Sequence, residues 1–444
     1  MALEIINRKI VGTIDNLQEK LSGEIPVTRL ELIHLVNSWE RTFAFVLKDS
    51  NDNIIDIVND NIIDIEKEKS KECYDLSKLD TSEITNMSNI FRSSNFNGDV
   101  SNWNTSNVTD MKSMFFNTKE FNSSLNLWDV SKVTNMSEMF YFAKEFNSPL
   151  NSWDVSNVTD MFDMFSNAEK FNQPLNKWKT FNVIDMEKMF NNAISFNQPL
   201  DNWDVSKVTN MNFMFLNTEV FNQNLNNWDV SNVKYMCGMF CQSYNFNGDI
   251  SNWDVSSVVD MSKMFYATRE FNSPLNSWDV SNVTDMGLMF CDAKKFNQPL
   301  DKWKTFNVID MRKMFNNAIK FNQDIGAWDV SKVTTISGIF ESTKMFSQNI
   351  SSWNLDKIEY CEYMFFKAEA FQNKYNSGEP LPDYTEDIKL WLKKNSEKMK
   401  MIDVKDRHGK EIDDFFNNIH SSNGVGLYAD IYSTNRNELK LNDN

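Results

Sequence analysis

Catalytic raw material is scarce in this sequence. Its 444 residues contain 3 histidines and 5 cysteines, and no Cys-x-x-Cys pair, Gly-rich phosphate loop, Gly-x-Ser-x-Gly elbow or His-Glu-x-x-His helix can be found. One arrangement could be drawn as an acid–base group, His408 and His420 with Asp413 and Asp414 between them, but scattered surface histidines are the simpler reading. The third histidine is His34. The odd set Cys73, Cys237, Cys241, Cys291 and Cys361 fits a reducing compartment without a disulfide framework. Cys237 and Cys241 have a spacing that suits a metal, yet no third ligand is evident, and packing is expected. No cofactor is indicated, and an enzyme is not expected.

Long apolar runs are missing too. No window approaches the 18 uninterrupted apolar residues of a membrane span, and the start, MALEIINRKIVGTIDNLQEK, lacks the basic region and apolar stretch of a secretory signal. The expected location is cytoplasmic or virion-associated, ahead of the cell surface. Basic charge is in deficit, with Lys+Arg 45 against Asp+Glu 62 and a net charge of −17. Duplex nucleic acid and anionic membranes are therefore excluded as main partners, because both require an electropositive surface. A protein partner is left, and self-association is possible.

What the chain has in abundance is one short phrase. FNSPLNSWDVSNVTDM stands at 146–161 and again at 271–286, and WKTFNVIDM at 178–186 and 303–311. Tryptophan recurs every 25 residues from Trp103 to Trp353, which accounts for all but Trp39 and Trp391, and phenylalanine does so from Phe121 to Phe371. The unit reads F-N-x-P-L-N-x-W-D-V-S-N-V-T-D-M-x-x-M-F-x-x-A-x-x. It begins with an imperfect copy near residue 74, one residue short before Phe96, and ends near Tyr375, giving about twelve coils. The two long identities lie five units apart, so a five-coil block is duplicated.

Within a unit such as 125–146, Met136, Met139, Phe140 and Ala143 follow i, i+3, i+4, i+7 spacing, which predicts a two-turn helix capped by Thr134 or Asn135. The Trp-x-Val alternation before it predicts a short strand, and Asn-x-Pro a corner, which holds Pro149, Pro174, Pro199, Pro274 and Pro299. Such a coil cannot bury its own apolar face, so successive coils must stack with Trp and Phe as interior ladders. The Asn after each Phe, from Asn97 to Asn322, is read as a ladder bonding backbone, with a calcium column as the lesser alternative.

The phrase W-D-V-S-N-V-T-D-M-x-x-M-F-x-x-A-x-x-F-N-Q-P-L closely resembles the bacterial surface-protein repeat of about 26 residues, related to BspA-like leucine-rich repeats and also common in large DNA viruses. The resemblance covers residues 74–375. It implies an adhesion or partner-binding array with no catalytic residues to transfer. The expected fold is an α/β solenoid, a leucine-rich-repeat-like right-handed coil of strand-plus-helix units. Mostly helical caps are expected on both sides, over 1–73 and 376–444.

In the flanks, Asp15–Leu21 and Thr28–Trp39 read as helices, and the tandem DNIIDIVN/DNIIDIEK at 52–67 as a hairpin or an acidic lead-in. Beyond the NSGEPLPD linker, helices are expected around Trp391 and around Phe415. Specificity would reside in the variable positions. Most coils carry Asp after Trp (Asp129, Asp154, Asp204, Asp229, Asp254, Asp279, Asp329), while Lys179 and Lys304 replace it, and Phe181 and Phe306 replace Ser, in the two WKTF coils. These residues predict an acidic strip interrupted by two basic-aromatic patches, used by a non-enzymatic protein-binding scaffold. A virion or surface-layer component assembling through its repeats is the second expectation.

Overall fold

The computed structural model describes the backbone of residues 4–6, 9–11, 15–36, 45–48, 54–58 and 75–421, and the side chains of 15–36, 75–404 and 406. Twelve rung residues from Asn86 to Tyr360 are joined by eleven parallel single-residue bridges. The step is 25 residues, except that Asn86 and Asp110 stand 24 apart, where the first coil is one residue short. The coils therefore stack in sequence order, each resting on its predecessor.

Neither the helix nor the strand expected in each coil is present. Residues 136–143 form consecutive turns, closed by bonds such as Met139 N–H to Met136 O (3.2 Å) and Ala143 N–H to Phe140 O (3.0 Å). Two residues per coil adopt left-handed backbone, here Glu138 and Phe142, both at φ 57°. That alternation turns the N–H groups of 136, 138, 140 and 142 outward along the stack, onto the carbonyls of 160, 162, 164 and 166 in the following coil. An α-helix would have bonded them internally. Both arrangements send Met136, Met139, Phe140 and Ala143 inward, so the apolar spacing cannot tell them apart. The strand shrinks to one bridging residue, Asn135, lying after the Trp128–Val130 pair rather than on it. Asn135 caps no helix, but its Oδ1 accepts the Ser137 N–H and hydroxyl.

The interior is a set of parallel ring columns. Trp103 and Trp128 lie 6.3 Å apart at 4°, Trp153 and Trp178 6.5 Å apart at 2°, and Phe121 and Phe146 6.0 Å apart at 5°. Inside a coil, Phe140 stacks on Phe146 at 4.0 Å. The indoles also hold the backbone. Each N–H donates to a carbonyl of the preceding coil, as from Trp153 to Leu125 (2.9 Å) and from Trp228 to Leu200 (2.8 Å). Phenylalanine would stack as well but could not give that carbonyl its second donor beside the backbone N–H it already takes, as Leu200 does from Trp203.

Equivalent rings are about 6 Å apart along the Trp column, whereas directly bonded parallel backbones sit about 4.8 Å apart. The stack is thus fanned, with the bridging column on its inner side. On the wide side the asparagine ladder spans the gap. Asn122 Oδ1 accepts the Asn147 N–H (2.8 Å), Asn147 Oδ1 the Asn172 N–H (2.9 Å), and the chain continues to Asn322 and the Ser347 N–H.

The flanks close the two ends. Strands β1 (Glu4–Ile6) and β2 (Lys9–Val11) pair antiparallel, and helices α1 (Leu17–Ser22) and α2 (Arg29–Val36) follow. A capping box starts α2: Glu31 Oε2 accepts the Thr28 N–H (2.9 Å), and Thr28 Oγ1 accepts the Glu31 N–H (3.3 Å). Leu32, Ile33, Leu35 and Val36 join the core cluster that runs through the coils; Trp39 lies outside the described residues. Arg29 replaces the missing earlier coil. Its Nε donates to Asn86 O (2.9 Å) and its Nη2 to Ser88 O (2.8 Å), the positions whose equivalents, Asp110 O and Lys112 O, take backbone N–H groups from Met87 and Asn89.

The first tandem copy supplies β4 (Ile54–Val58), which pairs antiparallel with β3 (Phe45–Lys48), while the copy at 60–67 lies outside the described residues. At the far end, α3 (Glu369–Asn376) keeps Phe371 stacked on Phe346, 6.0 Å apart. The two helices expected beyond the linker are one, α4 (Thr385–Ser421). Its start imitates a further coil, since Cys361 N–H donates to Thr385 Oγ1 (3.1 Å) and Tyr363 N–H to Asp383 O (2.9 Å).

Trp228→Phe is expected to destabilise by about 0.5–1.5 kcal/mol through the lost indole bond to the Leu200 carbonyl, which keeps the Trp203 N–H, and Trp228→Ala by about 3–5 kcal/mol, both measured by denaturant unfolding. Arg29→Met keeps the apolar stem and removes the fork; a loss of about 1.5–3 kcal/mol is expected, only partly recovered in Arg29→Lys, whose ammonium is no planar fork.

Candidate functional site

The coil gives the side chain after each ladder Trp a fixed task. After seven of the eleven ladder Trp residues, an Asp accepts the N–H of the residue two positions on: Ser156 to Asp154 (3.1 Å), Ser206 to Asp204 (3.0 Å), Ser231 to Asp229 (3.1 Å), Ser256 to Asp254 (3.0 Å) and Ser281 to Asp279 (3.0 Å). Asp129 and Asp329 do the same for Ser131 and Ser331. Hydrogen bonds from these serines hold the carboxyls of Asp129, Asp154, Asp204, Asp279 and Asp329 below the usual range. The acidic strip thus has a structural duty in the turn as well as a charge to offer.

The two WKTF coils give this device up. Lys179 and Lys304 provide no acceptor, and the freed position carries Phe181 and Phe306, which stand 39% and 40% exposed. Three residues on, where most coils place a threonine bonding back to its predecessor (Thr159 Oγ1 to Thr134 O, 3.2 Å), stand Ile184 and Ile309, 49% and 48% exposed. The isoleucines were not singled out from the sequence, although the change from Thr to Ile in the repeated phrase was there to read. In both coils a threonine ties the turn to the following coil, Thr180 Oγ1 to Asp204 O and Thr305 Oγ1 to Asp329 O, both 2.9 Å.

Each patch is therefore a lysine and two apolar side chains amid carboxylates. Lys179 acts electrostatically on Asp154, and Lys304 on Asp279. Beside Ile184, burial pushes the Asp185 carboxyl up, helped by Asp160 one coil away; beside Ile309, Asp310 contributes to the same upward push on Asp285, whose main cause is again burial. The patches are five coils apart, about 24 Å at the bridging column.

The other candidates do not assemble. Burial raises the Cys237 thiol and pushes those of Cys241 and Cys291 up to about 12, so these cysteines are packed and unreactive. Among the described residues no group of three or more His, Cys, Asp or Glu is placed to hold a metal. His34 lies on α2; the side chains of His408 and His420 are outside the described residues.

Four overlapping stretches, 64–178, 149–237, 218–318 and 292–379, match the family described as Mycoplasma protein of unknown function, DUF285. Together they cover more than half of the chain. The protein belongs to this family. Each match spans several 25-residue coils. No curated protein matches the chain, and among the described residues no helix is long and apolar enough to cross a membrane.

One buried group of the repeat array marks a pH dependence. Asp163 occupies a left-handed position (φ 54°) where its Oδ1 finds no hydrogen-bond partner, and burial pushes its carboxyl up to about 6. Because the folded pKa lies above the unfolded value, the stabilisation is full below about pH 4 and disappears as pH rises through 6. Asp163→Asn is expected to raise stability at pH 7.5 by about 1–2 kcal/mol after allowing for solvent screening and to leave it nearly unchanged at pH 3.5, as read by thermal unfolding at the two pH values.

Proposed function

We propose that the array is a non-enzymatic protein-binding scaffold, an elongated solenoid that engages its partner through the strip of residues after the ladder Trp, with the two WKTF coils as anchors. The observation that carries this reading is the exchange of an internal turn bond for exposed Phe181 and Ile184, and again for Phe306 and Ile309, in a repeat that otherwise keeps to its rule. Local rules are broken where function requires it, and exposed aromatic side chains with a neighbouring cation are frequent binding anchors. The carboxylates around each patch favour a partner bearing basic residues around an apolar segment. The likeness to the BspA-like surface-protein repeat supports a binding role, and a cytoplasmic or virion-associated location fits the reading.

The test restores the rule. A quadruple variant, Lys179→Asp, Phe181→Ser, Lys304→Asp and Phe306→Ser, rebuilds the ordinary turn and should fold with unchanged or greater stability. Compared by quantitative co-purification from the native source, it is expected to lose the partner retained by the wild type and by a Leu127→Ser control, a residue 76% exposed elsewhere on the array. Retention of every partner by the quadruple variant overturns the assignment.

A further inference from the structure

The indole ladder stops one step early. Every carbonyl in its acceptor column receives an indole N–H from the following coil, from Leu76 with Trp103 (2.8 Å) to Ile325 with Trp353 (3.1 Å). Ile350 is the next acceptor. It takes the N–H of Trp353 within its own turn (3.0 Å), but no indole follows, because the chain has left the repeat for α3. Among the described residues its carbonyl lacks the second donor that its equivalents have.

Space is left at that point. A cleft of about 430 Å³ lies between the last coil and α4, lined on one side by Ile350, Trp353 and Leu355 and on the other by Lys389, Leu392 and Lys393. Trp353 is the most exposed ladder indole, at 7% against 2–4% for the others. The volume falls in the range of small-molecule sites, and beyond the residues just named the lining is polar, from Ser351, Asn354, Asp356 and Ser396.

We propose that this cleft binds a planar aromatic N–H heterocycle of the indole class bearing an acidic group. Such a ligand continues the interrupted column. Its ring packs against the exposed part of Trp353, its N–H donates to the Ile350 carbonyl as the missing second donor, and its acid group meets Lys389 and Lys393. Lys389 stands 3.7 Å from Glu386, which leaves Lys393, exposed on α4, as the principal cation. The site is independent of the WKTF patches and survives the failure of that reading.

Calorimetric titration of the full chain with indole-3-acetate is expected to show one site, with 1-methylindole-3-acetate, which has no N–H, binding about tenfold more weakly, the value of one hydrogen bond. Ser396→Phe fills the cleft and should abolish binding, with the melting temperature checking that α4 still packs. Lys393→Glu, at an exposed position, should weaken indole-3-acetate at least fivefold and leave neutral indole unchanged. Equal affinity for the methylated probe, insensitivity to Ser396→Phe in a folded protein, or absence of heat at millimolar probe, as for a cleft that holds only water, overturns the proposal. N-acetyltryptophanamide is the side-chain arm: binding as tight as that of indole-3-acetate refutes the acidic-group requirement.

Discussion

Everything in the array depends on backbone amides bonding across coils instead of within them. The N–H groups of alternate residues, such as Met136, Glu138, Phe140 and Phe142, reach carbonyls 24 residues on, and this offset locks each coil to the next in one register. The constraint is costly locally. Two left-handed residues per coil, almost all of them not glycine, each lose on the order of 1–2 kcal/mol. It is sustained because four inter-coil bonds and the closely stacked Phe and Trp columns form together, and none of these exists in a single isolated coil.

The same constraint separates residues that can vary from residues that cannot. Inward positions are held by ring stacking and by indole bonds to buried carbonyls, so they repeat almost without change. The positions after Trp have only a turn bond to supply, and Thr180 and Thr305 tie their coils to the next one without it. That freedom is where the exposed Phe181 and Phe306 arise. The ends of the stack solve another problem, the open row of carbonyls on one side and of amides on the other. Arg29 supplies two donors in a fixed fork at the first end, and Asp383 and Thr385 supply acceptors at the second.

The asparagine ladder and the stacked Trp and Phe columns were legible from spacing alone, because each repeats with the period of the backbone, and the short first coil was legible as the one break in that period. The helix from Met136 to Ala143 was misread because i, i+3, i+4, i+7 spacing describes a row of tight turns equally well. A clue stood in the second left-handed slot, which carries Asn at 117, 167, 192, 217 and 317, the non-glycine residue that best tolerates that conformation. The candidate patch was half legible. Lys179 and Phe181 announced themselves by breaking the pattern, while the exposure of Ile184 and the turn bonds made by Asp154 and its equivalents needed coordinates.

The sequence by itself determined the period, the number of coils and the identity of the buried columns, since a repeated apolar pattern must be buried against its own next copy. Only the tertiary structure decided how the backbone turns within a coil, that the indole is required as a donor as well as a ring, and that the column ends in an open cleft at Trp353. These depend on where one coil's carbonyls meet the next coil's amides, a relation between residues 24 to 28 positions apart that no local propensity records.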